Sequence, residues 1–593
     1  GDEAFSHGVN EIMFHRFAHQ ANTHVKPGMG MSKFGSHIDR TQTWWDNAGK
    51  AWFKYMARGQ SLLQQGDPIS DVLLFTGDGA PTVCLDKLKT KKLIPVKINF
   101  DCVNPDVLIN RVTVQDKQLV LPHGARYKAI MLEGRSPIAP ATIDKLGEIA
   151  DAGGIIVGQK PRVVMGKLLS DEQREAYKNR LNQIWNKPTT YENNDWDKIY
   201  AENNLKFDLT AAGKPGLIYT HRQIDGADVY FFYNDEKQAK TFEITFNVDG
   251  KAPELWYPLD GSIKTLGQFS HTKNKQTVAP IALNAGESVF VVFRKASSDV
   301  AHVPYVKANK EHELMVNSDN ELQLTVTKNG THKVIVASGA DKQVSVDSLP
   351  ADLTVQGNWS VKFNPFYGYG ETVQFDSLVD WKDHPNQEIR DYSGDATYTL
   401  SVNLSDEWLQ KQQAVILDLG QVSIASDVSI NGQDFGTLWA SPYQVDVSKA
   451  LKVGQNELKF KVYNTWVNRL IADKSLPDTS GYKMTGDTVP WLNANQKPPK
   501  SGKGVPSVFT KGADDISAYT KLGYREVKPS EMIDAAYLLK DESDIAFVLV
   551  GGVILYAVIS TTTGMEKDEN QNYIPDWIEK KFPKIFKSSK DLD

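Results

Sequence analysis

The stretch VNEIMFHRF, residues 9–17, decides how the chain is read. It is a short, mostly apolar run, the pattern of a strand buried on both faces in a parallel sheet covered by helices. A loop follows from Gln20 to Gln42. It carries Pro27, Gly28, Gly30 and Gly35 and is too long to be a simple connector in a compact domain. Beyond it Trp45, Ala48, Trp52, Tyr55, Met56, Gly59, Leu62 and Leu63 recur at three- and four-residue spacing, which predicts an amphipathic helix with Trp45 and Trp52 on its core stripe. Thr43 with Asp46 resembles a capping box, and Gly66 and Pro68 supply the stop. Strand, loop and helix make one βα unit. In (β/α)8 barrels the active site lies on loops that follow the C-terminal ends of the strands. Residues 1–66 are therefore expected to be the C-terminal part of such a barrel, with Glu11, His15, His19 and the loop near any site.

Working outward, Asp71-Val72-Leu73-Leu74-Phe75 opens a second buried-strand pattern, and Lys128-Ala129-Ile130-Met131-Leu132 repeats it. Pro140 starts a helix with Ile143, Leu146, Ile149 and Ala150 on one face, which ends at Gly153-Gly154 before the strand Ile155-Ile156-Val157. This order predicts a small α/β domain over 67–165. No G-x-G-x-x-G follows its first strand, which argues against a dinucleotide site. Residues 166–215 read as a helical, charged linker. From 216 the period becomes two, as in Phe242, Ile244, Phe246 and Val248, or Leu458, Phe460 and Val462, the signature of half-buried antiparallel strands. Asn329-Gly330 and Asn431-Gly432 sit between such runs and predict hairpins. One β-sandwich is expected at 216–300 and another, carbohydrate-binding-like, within 301–510.

Residues 511–593 form an unassigned extension. Within it the uncharged run Ile545 to Met565 has the length of a membrane span, while Phe547–Val550 and Val553–Tyr556 around Gly551-Gly552 also suit a buried hairpin. A chain of 593 residues with 40% hydrophobic and 24% charged residues should fold as several globular units. A formal charge of −6, from 67 basic against 73 acidic side chains, leaves no electrostatic footprint for nucleic acid. Cys84 and Cys102 are the only cysteines, which excludes a disulfide scaffold and cysteine-rich metal sites but leaves one disulfide open. Gly1 is followed by polar residues without a signal-peptide pattern, so the N-terminus reads as processed or truncated.

Several segments resemble glycoside hydrolase family 106, the α-L-rhamnosidases. GVNEIMFHRFAHQ at 8–20, KPGMGM at 26–31, RTQTWWDNAGKAWFKYMARGQSLLQQG at 40–66 and DVLLFTGDGAP at 71–81 are similar to the end of that family's catalytic barrel and its exit. ELWYPLDG at 254–261, DYSGDATYTL at 391–400 and the segment 430–471 look like its C-terminal sandwiches. The resemblance implies hydrolysis of a terminal α-L-rhamnosyl unit with inversion, a calcium ion that helps hold the sugar, a rhamnose-containing oligosaccharide or polysaccharide as partner, and a periplasmic or secreted location. It also implies that further barrel strands and active-site carboxylates lie upstream, so that this chain is the downstream part of such an enzyme.

Inverting hydrolysis needs one carboxylic acid to protonate the leaving oxygen and a second carboxylate to activate water. Glu11 is the acid within the expected strand and is the candidate general base or calcium-site carboxylate; the competing role is an ion pair with Arg16 or Arg40. His15 and His19 suit sugar hydroxyls as combined donors and acceptors. With His24 they could instead form a zinc site, but their spacing lacks the helical face of H-E-x-x-H. Arg40 and Trp44 could line a sugar pocket by hydrogen bonds or ring stacking. Trp439 and Trp466 fall in a dense apolar pattern and are expected to be structural. His221-Arg222 could reach toward the barrel or form a domain interface. The reading from another class is a noncatalytic carbohydrate-binding or scaffold protein.

Overall fold

The computed structural model describes residues 1–14, 17, 38–80, 82–84, 87–132, 134, 137–211, 217–308, 312–326, 329–335, 341–346, 349, 351–410 and 414–474. The chain is multidomain and rich in sheet, with several antiparallel sheets and few helices. The possible membrane span 545–565 lies outside the described residues. Among those described, no helix is long and apolar enough to cross a membrane.

Of the strand expected at 9–17, the described residues show none. Residues 9–14 and 17 belong to no strand, and Met13 is 88% exposed and Phe17 63%. The physical reason is in their hydrogen bonds. Gln60 Oε1 accepts from Ile12 N at 2.7 Å, and Gln64 Nε2 donates to Asn10 O at 2.9 Å. The segment is thus laid along a helix by glutamine side chains instead of pairing with a neighbouring strand. The described residues do not show a (β/α)8 barrel.

Helix α2 (Asn47–Leu63) carries most of the expected stripe: Ala48, Tyr55, Met56, Gly59 and Leu63 are buried, whereas Trp45, Trp52 and Leu62 are only half-buried. Its start differs from the capping box: the Asp46 side chain makes no cap hydrogen bond, and the Thr43 hydroxyl donates to the carbonyl of Asn464. Helix α1 (Asp2–Ser6) packs on α2 through Phe5, which is fully buried against Tyr55 and Phe231. A Cβ on Gly59 would come within 2.6 Å of the Phe5 ring, so only glycine permits this approach.

Residues Val72–Phe75 sit inside an open parallel sheet of five strands, in the order 100–103, 72–75, 129–132, 155–157, 190–191. Alternate side chains enter two cores. Leu73, Phe75, Ile130 and Ile156 meet Ile143, Leu146, Leu181 and Ile184, whereas Val72, Leu74, Met131 and Val157 meet Trp196, Ile199 and Tyr200. The α/β unit therefore extends past residue 165. The segment 171–185 is helical, as expected of the charged connection at 166–215, but it is a capping-box helix that closes the first core with Leu181 and Ile184, because two apolar residues a turn apart suffice to dock an otherwise charged helix. Cys84 and Cys102 are joined in a disulfide that ties the strand at 100–103 to the preceding loop.

An eight-stranded and a four-stranded antiparallel sheet then face each other across one core containing Tyr219, Phe232, Phe246, Phe269, Ile281 and Phe293. Strands His312–Val316 and Leu322–Val326 extend the larger sheet, so this unit does not end at residue 300. Asn329-Gly330 does not make the expected hairpin: Leu322–Val326 pairs with 312–316, while Gly330–Ile335 pairs with 305–308 and 341–346. Asn329 instead accepts a hydrogen bond from Leu349 N at 2.7 Å. The last unit is built on a six-stranded antiparallel sheet spanning 359–463, and a two-stranded one shares its core. There Asn431-Gly432, with φ of 52° and 80°, turns the chain between paired Ile430 and Gln433 as the dipeptide predicts.

Candidate functional site

The residues singled out in the sequence fall in three places. Glu11 lies in the extended segment along α2, exposed, and makes no ion pair with Arg40 among the described residues; Arg16 lies outside them. His15 and His19 also lie outside the described residues. Arg40 and Trp44 belong to a turn, residues 38–46, that leads into α2.

That turn is fixed from both sides. Asp39, fully buried, accepts from Thr41 N and Thr41 Oγ1, each at 2.7 Å, and Gln42 N donates to Asp39 O at 3.1 Å. From the last sheet unit the indole of Trp466 donates to Thr41 O at 3.0 Å, and the carbonyl of Asn464 receives the Thr43 hydroxyl. Asn47 Nδ2 donates to Asp427 Oδ2 at 2.8 Å, an oxygen that also accepts from Tyr463 at 2.6 Å. Arg40 is exposed on this turn. Trp44 is half-buried and packs with Ala48, Ala425, Tyr463 and Trp439, while its ring meets Trp52 edge to face and Trp45 at a tilt. Phe14, Phe17 and Phe53 complete an aromatic patch along α2, with ring centroids 5.0 to 5.9 Å from Trp45 or Trp52. Trp466 is buried.

A second cluster escaped sequence reasoning except for His221. Asp71, Lys87, Asn99, Asp208 and His221 are all nine-tenths or more buried where the parallel sheet meets the eight-stranded sheet. Asp71 pairs with Lys128 at 2.7 Å and accepts from Tyr200 at 2.8 Å. Burial raises its pKa, and the Lys128 charge opposes that shift. Asp208 holds His221 Nδ1 at 3.0 Å and accepts from Tyr230, whose ring stacks on the imidazole at 3.8 Å. Burial alone would lower the His221 pKa; the carboxylates of Asp208 and then Asp228 outweigh it and push it up to about 9. Lys87 Nζ donates to Ser6 O at 2.9 Å, Asn99 Oδ1 at 2.7 Å and the carbonyl of Tyr219, and burial brings its pKa down to about 7.

This cluster is a junction. Lys87 ties α1, the α/β unit and the eight-stranded sheet together through carbonyl oxygens. Asp71 and Lys128 lie at the N-terminal ends of their strands, whereas ligands of open α/β sheets bind beyond the C-terminal ends. The only sequence signal was the acid and the lysine placed just before two apolar runs.

Among the described residues, no group of three or more His, Cys, Asp or Glu is placed to hold a metal ion. Residues 1–271 match the family model of the α-L-rhamnosidases of glycoside hydrolase family 106. A Formosa agariphila protein named "Putative beta-glucuronidase" is 24% identical over 693 aligned positions, which cover 86% of this chain and 59% of the relative. The solved rhamnosidase from Novosphingobium sp. PP1Y is 27% identical with a TM-score of 0.64, over 85% of this chain and 44% of that one. The chain thus spans about half the length of the proteins it matches.

Proposed function

Residues 1–271 belong to glycoside hydrolase family 106, and from that premise we propose that the protein removes terminal α-L-rhamnose from oligosaccharides or polysaccharides, with inversion. The observation that carries the reading is the likeness to a solved rhamnosidase over 85% of the chain. In the proposed mechanism Glu11 acts as general base or as a carboxylate beside the reacting centre. Its carboxylate is open to water, as a group that activates water must be. Its partner acid would stand about 6.5–9.5 Å away, the separation that leaves room for a water. His15 and His19 offer donors and acceptors to the sugar hydroxyls, Arg40 offers a fork of N–H donors, and Trp44, with the aromatic patch, supplies an apolar wall.

Calcium enters the proposal through the family alone. The described residues gather no ligand set for it, so no step is derived through it. An exported location is supported by the Cys84–Cys102 disulfide, since such bonds persist in oxidising compartments.

The experiment is release of an aryl group from aryl α-L-rhamnoside by the protein from its complete reading frame. Aryl β-D-glucuronide serves as comparator, because one relative carries a glucuronidase name. Rhamnoside turnover that falls on chelation and returns with calcium better than with zinc is the expected result. Glucuronide turnover alone would replace the substrate. No turnover of either, with retention on a rhamnose-bearing matrix, would favour a noncatalytic binding protein.

A further inference from the structure

Arg40 stands on a turn that is held far more firmly than an exposed arginine requires. The residues on either side of it, Asp39 and Thr41, are 0% and 8% exposed. Thr41 donates its amide and hydroxyl to Asp39 and accepts at its carbonyl from the Trp466 indole, and Thr43 donates its hydroxyl to the carbonyl of Asn464. Asn464 is itself fixed: its Oδ1 accepts from Gly394 N at 2.8 Å and its Nδ2 donates to Tyr392 O at 2.9 Å. Two bonds from residues more than 400 positions away thus hold the turn that carries Arg40. Functional groups need such support, because a displacement of about 1 Å at a binding group can cost on the order of a hundredfold in rate.

We propose that Asn464 and Trp466 of the last sheet unit are positioning residues for sugar binding: through Thr43 and Thr41 they fix the turn that presents Arg40. This rests on the reading that Arg40 meets the sugar. The last sheet unit then belongs to the site's machinery and is no detachable accessory. Neither residue touches the substrate.

The test uses the protein from its complete reading frame, with Trp466→Phe, which keeps a ring and removes the N–H donor, and Thr43→Val, which keeps the shape and removes the hydroxyl. Thr43→Ser is the conservative rescue and Arg40→Ala the control. Three quantities are read: the melting temperature, amide hydrogen exchange over residues 39–49, and kcat and KM on aryl α-L-rhamnoside. Expected are faster exchange in the turn and a KM raised about tenfold with kcat nearly unchanged, because ground and transition states lose the same contact. Thr43→Ser should restore both. Unchanged exchange, or faster exchange with an unchanged KM while Arg40→Ala raises KM, would overturn the proposal. An unchanged KM in Arg40→Ala would overturn the reading of Arg40 and the proposal with it.

Discussion

Val9–Phe17 and Val72–Phe75 carry the same sequence signal, a short apolar run without alternation, and meet opposite fates. The second run is buried to within 4% on both faces of a parallel sheet, flanked by strands on both edges. In the first, the described residues 9–14 and 17 form no strand and are mostly exposed, and the backbone of Asn10 and Ile12 is met by Gln64 and Gln60. An apolar run specifies that a strand can be buried; it does not supply the neighbours that bury it. Helices from the same chain stand ready for 72–75 at 140–151 and 171–185, and no strand among the described residues pairs with 9–14. In the first region Glu11 lies beside the C-terminal end of α2, where Asn10 and Ile12 meet Gln64 and Gln60, while the turn that carries Arg40 leads into the N-terminal end of the same helix.

The contrast sharpens if chemistry and stability divide between the two regions. Glu11→Gln should lower kcat on aryl α-L-rhamnoside by about 10²–10⁴-fold, since an amide cannot take a proton from water. Its melting temperature should match that of the parent in a circular dichroism scan. Leu73→Ala should do the reverse. It removes a side chain 1% exposed in the centre of the parallel sheet and should cost about 2–5 kcal/mol in urea unfolding of this unit. Met13→Ala, in the other apolar run, should change stability by no more than about 0.5 kcal/mol. A large loss in Met13→Ala would show that the first run is core after all.

The junction between the sheets should report on pH. His221 has a folded pKa of about 9 against an ordinary value of about 6.5, so its protonated form is favoured by folding. The stability it contributes is fully present below about pH 6.5 and is lost as pH rises through about 9, on the order of 3 kcal/mol at most. Lys87 has the opposite sign: its pKa is lowered to about 7, so the cost of burying its charge is relieved as pH rises from 7 toward 10.5. Melting of His221→Gln and parent from pH 6 to 10 separates the two, because only the histidine contribution differs. The gap between the proteins should close as pH rises, and a constant gap would contradict the assignment.

The smallest effects concern the two Asn-Gly pairs. Asn431→Ala should cost about 1–2 kcal/mol, because Asn431 has positive φ and its side chain bonds Ala450 O at 2.7 Å, Asn456 at 2.8 Å and Glu457 N at 2.9 Å. Asn329→Ala should cost about 0.5–1 kcal/mol, the bond to Leu349 N. Equal costs in thermal unfolding would mean that the two turns are more alike than their pairings.

Local periodicity carried most of what could be read in advance. The stripe of α2, the buried run at 72–75 and the turn at 431–432 all follow from spacing and turn chemistry among near neighbours. The errors came from partners distant in sequence. Thr43 looked like a helix cap and bonds a residue 421 positions away, and Asn329-Gly330 looked like a hairpin and parts two sheets. The site was legible only as residue types near one loop. Nothing local marks Asn464 or Trp466 as the anchors of Arg40, and the buried pairing of Asp208 with His221 depends on two sheets meeting.

The most direct measurement is the footprint of the sugar itself: amide hydrogen exchange of the protein from its complete reading frame, with and without saturating L-rhamnose. Slowed exchange at Thr41, Gln42, Trp45 and the segment 9–14, with none at the C-terminal ends of the parallel strands, is the predicted result. Protection beyond Phe75 and Leu132, with the 38–46 turn unaffected, would contradict the account by moving the sugar site into the α/β unit.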